Sequence, residues 1–178
     1  MLVNVQIPEW ARSVRDPRYR WVIADARRLP FRDAAFDVAF SNAVIEHVGV
    51  FENQRQFASE CRRVAAGYFV ETPNRRFFFE PHLLTPFIHW LPRRQMGKMI
   101  RNFSFWGVMT RPSSAQCARF MRDVWLLDAR QMGELFPDGR VTQERFLGMS
   151  KSIIASRKAN GSSQRTTSHA AYELQRGG

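Results

Sequence analysis

Apolar and polar residues alternate along Leu2-Val3-Asn4-Val5-Gln6-Ile7. Successive side chains of a strand point to opposite faces, so this period of two predicts a half-buried strand. Pro8-Glu9 then predicts a short helix to about residue 15. Proline is tolerated in a first turn, and an acid suits the positive N-terminal end. Asp16-Pro17 is a turn signal, and residues 19–24 form the next expected strand. Leu29-Pro30-Phe31 breaks it, because proline restricts its own φ and its predecessor's conformation. Residues 36–40 are a second short apolar run, followed by Ser41-Asn42 and a short amphipathic piece, 43–48, that carries Glu46 and His47. Over 51–66, Phe57, Ala58, Cys61, Val64 and Ala65 recur three and four apart. That spacing predicts an amphipathic helix, with Gly67 as its stop. Residues 68–72 read as a strand ended by Pro73. Strands alternating with helices predict a parallel sheet with helices on both faces.

From Asn74 the pattern changes. Residues 74–111 interleave Phe77-Phe78-Phe79, Phe87, Trp90, Phe103, Phe105 and Trp106 with arginines and Lys98. Two readings stand side by side: a helical insert packing its aromatics on the sheet, or a lid over an apolar substrate. Residues 115–125 and 128–136 are further helix candidates, and Pro137-Asp138-Gly139 is a turn. Two apolar runs, 141–147 and 152–156, flank Gly148. From residue 157 Ser, Thr, Asn and Gly dominate, a composition that buries too little apolar surface to offset its entropy, so a disordered tail is expected. No internal repeat is present.

Composition narrows the class. A chain of 178 residues with 44% apolar content fits one globular domain. No apolar run reaches the ~18 residues of a membrane span, and no signal-peptide pattern opens the sequence. Cys61 and Cys117 form no metal pattern, so two buried thiols are expected and no metal site. The net charge of +11 raises a polyanion or an anionic membrane surface as partners. The arginines are spread along the chain rather than gathered in a block, which ranks nucleic acid well below a lipid or small-molecule partner. Aromatic and basic residues together suit a headgroup boundary, so contact of the insert with an anionic membrane is a further expectation. A cytoplasmic location, with peripheral contact at the inner membrane face, follows from these signs.

Asp25, Ala26, Leu29, Pro30, Phe31, Phe36, Asp37, Val38, Glu46 and His47 stand in a recognisable order. In that order they resemble the class I S-adenosylmethionine-dependent methyltransferases, the methyltransferase type 11 group. The segment from Pro73 to His82 with His89 to Pro92 is also similar to bacterial members. The resemblance implies an α/β, Rossmann-like, mostly parallel sheet flanked by helices, with a C-terminal antiparallel hairpin and a helical insert. It spans 1–156, with 74–111 as lid and 157–178 as tail. It implies S-adenosyl-L-methionine as cofactor and methyl transfer to a small or lipid-linked acceptor.

It also implies roles for single residues. Asp25 would accept from the adenine amino group, and the Ala26 N–H would reach the ring; alternatively, Asp25 caps the following turn. Gln6 stands where an acid would hold the ribose hydroxyls, and an amide offers less there than a carboxylate. Ser41 and Asn42 either lie by the methionine part of the cofactor or cap the next short helix. Methyl transfer is a displacement that mainly needs alignment and exclusion of water. A base helps when the acceptor is a hydroxyl, and His47 and Glu46 are the candidates, with His82 and His89 ranked lower. Against this, His47 could pack under the sheet and Glu46 could pair with an arginine.

The strand, glycine-rich turn and helix that normally open such a sheet have no counterpart in this sequence. Roughly 30 residues of that unit are expected upstream of Met1. This makes the domain N-terminally truncated, with weakened stability and cofactor binding as the expectation. The rival to an enzyme is a non-catalytic methyltransferase remnant that binds a partner or membrane through the insert.

Overall fold

The computed structural model describes residues 1–7, 9, 16 and 18–159. The helix expected over 8–15 falls almost wholly outside the described residues, as does the chain from 160 onward. Strand β1 (Leu2–Asn4) pairs in parallel with β2 (Trp21–Ile23), Leu2 opposite Trp21. Strand β3 (Phe36–Asn42) pairs in parallel with β4 (Ala65–Pro73), across helix α1 (Phe51–Val64). Parallel neighbours need such a crossover, whereas antiparallel ones need only a turn. Strands β3 and β4 are thus joined by a helical connection, and both pairings, β1–β2 and β3–β4, are parallel.

Helix α1 was expected to stop at Gly67, but it ends at Val64 and the chain enters β4 at once. Gly67 is a strand residue opposite Val38. A Cβ there would come within 2.6 Å of the Ala159 nitrogen and 2.8 Å of the Arg157 carbonyl oxygen. The glycine answers a close approach of two backbones, not a helix end.

The insert comes next. It holds a two-strand ribbon, β5 (Phe79–Glu80) and β6 (Thr85–Pro86), and a 3-10 turn, Ile88–Trp90. Helices α2 (Arg93–Phe103), α3 (Phe105–Thr110) and α4 (Ser114–Asp123) follow. Leu83, Ile88, Met96, Ile100 and Cys117 form a buried cluster of its own, with Trp106 and Phe120 packed against it. The aromatics divide accordingly. Trp106 and Phe120 pack inward, while Phe87, Trp90, Phe103 and Phe105 are exposed.

Helix α5 (Ala129–Leu135) returns to the sheet. Asp128 starts it with a capping box: the Gln131 N–H donates to Asp128 Oδ1 at 3.0 Å, and the Asp128 N–H donates to Gln131 Oε1 at 3.1 Å. Strands β7 (Arg140–Phe146) and β8 (Met149–Arg157) form the antiparallel hairpin. Leu147 and Gly148 join them, both at positive φ (49° and 78°), as a tight two-residue hairpin turn requires. Strand β8 also pairs antiparallel with β4, which gives the order β3-β4-β8-β7. Arg157, expected to open the tail, instead ends β8. Its guanidinium donates to the carbonyls of Ala65 (3.0 Å) and Ala66 (3.1 Å) and meets Asp138.

The main core lies on one face of this four-stranded sheet. Phe57, Ala58 and Cys61 of α1 and Met132 and Leu135 of α5 pack against Tyr68, Val70, Ile153 and Ala155. On β3, Val38 and Phe40 alternate with Ala39 and remain exposed, Phe40 at 72%. The loop after β2 is tied down by α1. Glu60 Oε2 accepts the Leu29 N–H at 2.6 Å, and Arg63 donates to the Leu29 and Phe31 carbonyls at 3.1 and 2.7 Å. Phe31 meets Phe36 edge to face, ring centres 4.9 Å apart. Leu29-Pro30-Phe31 thus fixes the loop that leads from β2 into β3.

Candidate active site

Asp25 follows β2 and faces a cleft of about 500 Å³, lined also by Val5, His47, Asn53 and Asp123. Its carboxylate caps its own turn, accepting the Arg27 N–H at 2.9 Å. The Arg27 guanidinium also forks onto it, with Nη2 2.6 Å from Oδ2. That hydrogen bond outweighs the effect of burial and holds the Asp25 carboxyl below its ordinary value. Asp25 is therefore an ionised group at the cleft, and the turn-cap geometry and the position at the cleft coexist. Ala26 is partly buried against the main core. Gln6 is exposed in the bend after β1, and its neighbour Val5 is the residue that lines the cleft.

Ser41 and Asn42 were read as following a strand, but both belong to β3. The capping alternative fails: the 3-10 turn Ile45–His47 starts from Val44, without a side-chain cap. A left-handed Ala43 (φ 51°), whose N–H donates to the Glu71 carbonyl at 3.0 Å, separates them from that turn. Asn42 is exposed, and the Ser41 hydroxyl is buried without a hydrogen-bond partner among the described residues.

The 3-10 turn delivers Glu46 and His47 to the seam between sheet and insert. Glu46 has no exposure. Its Oε2 accepts from the Thr72 hydroxyl of β4 at 2.8 Å, while Oε1 has no hydrogen-bond partner among the described residues. Among the described residues, no arginine pairs with it. Burial pushes the Glu46 carboxyl up, only partly offset by its own backbone N–H and by Thr72. His47 is about half exposed and does not lie under the sheet. Burial lowers its pKa, and the neighbouring His82 lowers it further.

His82 sits between β5 and β6 and comes to the same place from the insert. Its Nδ1 lies 2.7 Å from Glu80 Oε1, and its Nε2 lies 3.1 Å from His47 Nε2. Glu80 is buried, and its Oε2 accepts the Leu83 N–H at 2.5 Å. Burial disfavours the charged form of His82, but the Glu80 hydrogen bond and the Glu80 and Glu46 charges outweigh it and raise its pKa. His82 was ranked low because nothing local distinguishes it. The signal available was Glu80-Pro81-His82, a second acid–histidine pair that only the fold sets against Glu46-His47. His89 goes elsewhere, donating to the carbonyls of Arg75 and Phe77 at 3.0 and 2.9 Å.

His47 lines two clefts at once. One is the cleft of Asp25. The other, about 530 Å³, is bounded by His82, Trp106, Phe120 and Asp123 on the insert side. Trp106 and Phe120 stack there, ring centres 5.9 Å apart. Two neighbouring spaces, one with an ionised acid and one with aromatic walls, share an imidazole at their border.

Residues 4–69 match the family model of a methyltransferase domain. Two solved structures show a likeness at low identity. One is a SAM-dependent methyltransferase from Methanosarcina mazei, 15% identical, with a TM-score of 0.44. The other is a protein named for Zn-dependent alcohol dehydrogenases from Rhodobacter sphaeroides, 13% identical, with a TM-score of 0.50. Each likeness covers 78% of this chain and 66% of the other. The chain thus spans just under two thirds of the length of these structures. No curated protein matches. The family match, over residues 4–69, agrees with the methyltransferase resemblance read from the motifs.

Proposed function

We propose that the chain, whose residues 4–69 carry the methyltransferase-domain match, takes part in methyl transfer from S-adenosylmethionine to a small or lipid-linked acceptor at the seam of sheet and insert. The observation that carries this reading is the position of His47, on the border of the Asp25 cleft and the aromatic cleft. A donor in the first space and an acceptor in the second would meet at that border. Asp25, Ala26 and the end of β1 with Gln6 hold the adenosyl side, and Ser41 and Asn42 close the end of β3.

The step itself breaks the sulfonium–methyl bond and forms a bond from the acceptor to the methyl carbon. The protein's task is alignment and exclusion of water. When the acceptor is a hydroxyl, its proton leaves, and His47 is the side chain placed to take it. Glu46, buried behind it, acts as a positioning residue. The exposed Phe87, Trp90, Phe103 and Phe105 stand among Arg94, Lys98 and Arg101, a combination suited to an anionic bilayer surface that presents an apolar acceptor. Among the described residues no helix is long and apolar enough to cross a membrane.

Calorimetric titration with S-adenosylmethionine tests the donor side. Asp25→Ala should weaken binding by about 1–3 kcal/mol, the usual loss when a charged hydrogen-bonding partner is removed. The lower end is expected, because binding must first displace the solvent-screened Arg27 pair. Unchanged affinity would remove Asp25 from the site. Transfer of a labelled methyl group to a hydroxyl lipid in anionic vesicles tests the acceptor side. His47→Ala should suppress transfer while sparing cofactor affinity; full activity in that variant would refute the role of His47.

A further inference from the structure

The methyl-transfer reading uses His47 and Glu46 but gives no role to His82 and Glu80, which the fold sets against them. Glu46, His47 and His82 place one donor atom each within 4.8 Å of one another, the one such group of three among the described residues. The two imidazole Nε2 atoms are 3.1 Å apart. Glu46 Oε1 lies 4.0 Å from that of His47 and 3.9 Å from that of His82. A point equidistant from all three lies about 2.2 Å from each, close to zinc–nitrogen and zinc–oxygen bond lengths.

The atoms around that point are committed in a telling way. Glu46 Oε2 is held by Thr72, His82 Nδ1 faces Glu80, and the other Glu80 oxygen is held by Leu83. Glu46 Oε1, on a side chain with no exposure, has no hydrogen-bond partner among the described residues. A buried carboxylate oxygen left unpartnered is costly. Two facing Nε2 atoms can share only one proton between them. A cation at the equidistant point would satisfy all three atoms together. A carboxylate behind the outer nitrogen of a ligating histidine is the usual support of such a centre, since it fixes the tautomer and the ring, and Glu80 occupies that place.

We propose that Glu46, His47 and His82 bind one divalent cation of the zinc class, with Glu80 orienting His82. Two imidazoles and one carboxylate suit zinc-class ions rather than magnesium or calcium, which prefer oxygen ligands. Neither cysteine belongs to the group. Three protein ligands leave a coordination position open, on the side of the cleft walled by Trp106 and Phe120. This proposal does not rest on the methyl-transfer reading and competes with one part of it, since a His47 Nε2 that ligates the ion cannot also take the acceptor's proton; zinc binding and cofactor binding are measured separately, and either can fail alone.

The experiment titrates the chelator-stripped full chain with Zn²⁺ by calorimetry and with Co²⁺ by visible absorption. One ion per chain is expected, with a Co²⁺ spectrum typical of nitrogen and oxygen ligands. His47→Ala and His82→Ala should each lower Zn²⁺ affinity at least 100-fold, and Glu46→Gln at least 10-fold. Glu80→Gln, which removes only the supporting carboxylate, should lower it about 10- to 100-fold. Circular dichroism confirms that each variant is folded. Absence of Zn²⁺ binding by the parent chain would overturn the proposal, and so would undiminished affinity in a folded His82→Ala. Should the variants not fold, the parent spectrum still decides, because an intense thiolate-to-cobalt band would place the ion on cysteine and sink the site.

Discussion

The molecule contains two parallel strand pairs of very different fate. In β3–β4, strands of seven and nine residues continue into β8 and β7, and the face carrying Tyr68 and Val70 is sealed by α1 and α5. In β1–β2, two strands of three residues pair with the same parallel geometry, yet Leu2, Val3 and Ile23 stay exposed. The parallel pairing is the same, while strand length, strand number and cover differ. Two strands alone are marginal in water, so the pair whose Leu2, Val3 and Ile23 stay exposed is the weaker of the two. The proposed site draws on both: Asp25 leaves the open pair, while Glu46 is rooted beside the sealed sheet. The adenosyl side should be pliable, and the Glu46–His47–His82 side rigid.

The sharpest way to break this comparison is to remove one large apolar side chain from each region. Phe136 is fully buried and its ring lies 5.0 Å from that of Tyr68. Phe136→Ala should cost about 3–5 kcal/mol, the range for a phenylalanine lost from a core. Ile23 is 64% exposed, and Ile23→Ala should cost less than about 1 kcal/mol, as surface changes do. Urea denaturation reads both. Similar losses would mean that Ile23 is covered in solution and that the contrast is false.

Within the sealed sheet, Gly67→Ala should be the next largest effect. The added methyl would meet backbone atoms of Arg157 and Ala159, which have no rotamer to yield. Overpacking of this kind costs about 1–3 kcal/mol. A neutral Gly67→Ala would show that the end of β8 floats freely, and would weaken the claim that this sheet is the rigid half.

Legibility from sequence followed the same division between local and distant causes. The strands β3, β4 and β8 were readable because their apolar runs reflect burial along the strand itself. Gly67 was misread because the chain that crowds it, at 157–159, is ninety residues away. Arg157 was assigned to the tail on local composition, although its partners are the carbonyls of Ala65 and Ala66. The same rule governs the site. Glu46 and His47 were found through a local motif and Asp25 through its place after a strand. His82 and Glu80 reach them only once the ribbon β5–β6 folds back on the sheet. The insert's aromatics could not be sorted by sequence into inward Trp106 and outward Phe103, since helix packing decides that.

The smallest expected effect tests how the sealed sheet is closed at its edge. Asp138, in the turn before β7, accepts from the Tyr68 hydroxyl at 2.9 Å and pairs with Arg62 at 2.9 Å and with Arg157. Burial alone would raise its pKa, but the Tyr68 hydrogen bond and the two arginine charges outweigh it and hold the carboxyl below its ordinary value. A carboxyl whose folded pKa is depressed adds stability above its unfolded pKa, and that contribution is lost as the pH falls through the folded value. Asp138→Asn keeps an oxygen for Tyr68 but removes the charge. It should cost about 1 kcal/mol at neutral pH, discounted from a buried pair because the group is about a third exposed. Urea midpoints of the parent and the variant should converge as the pH is lowered below the ordinary carboxyl range, because the parent then also carries a neutral side chain. A gap that persists or widens on acidification would show that Asp138 holds the edge by shape and not by charge.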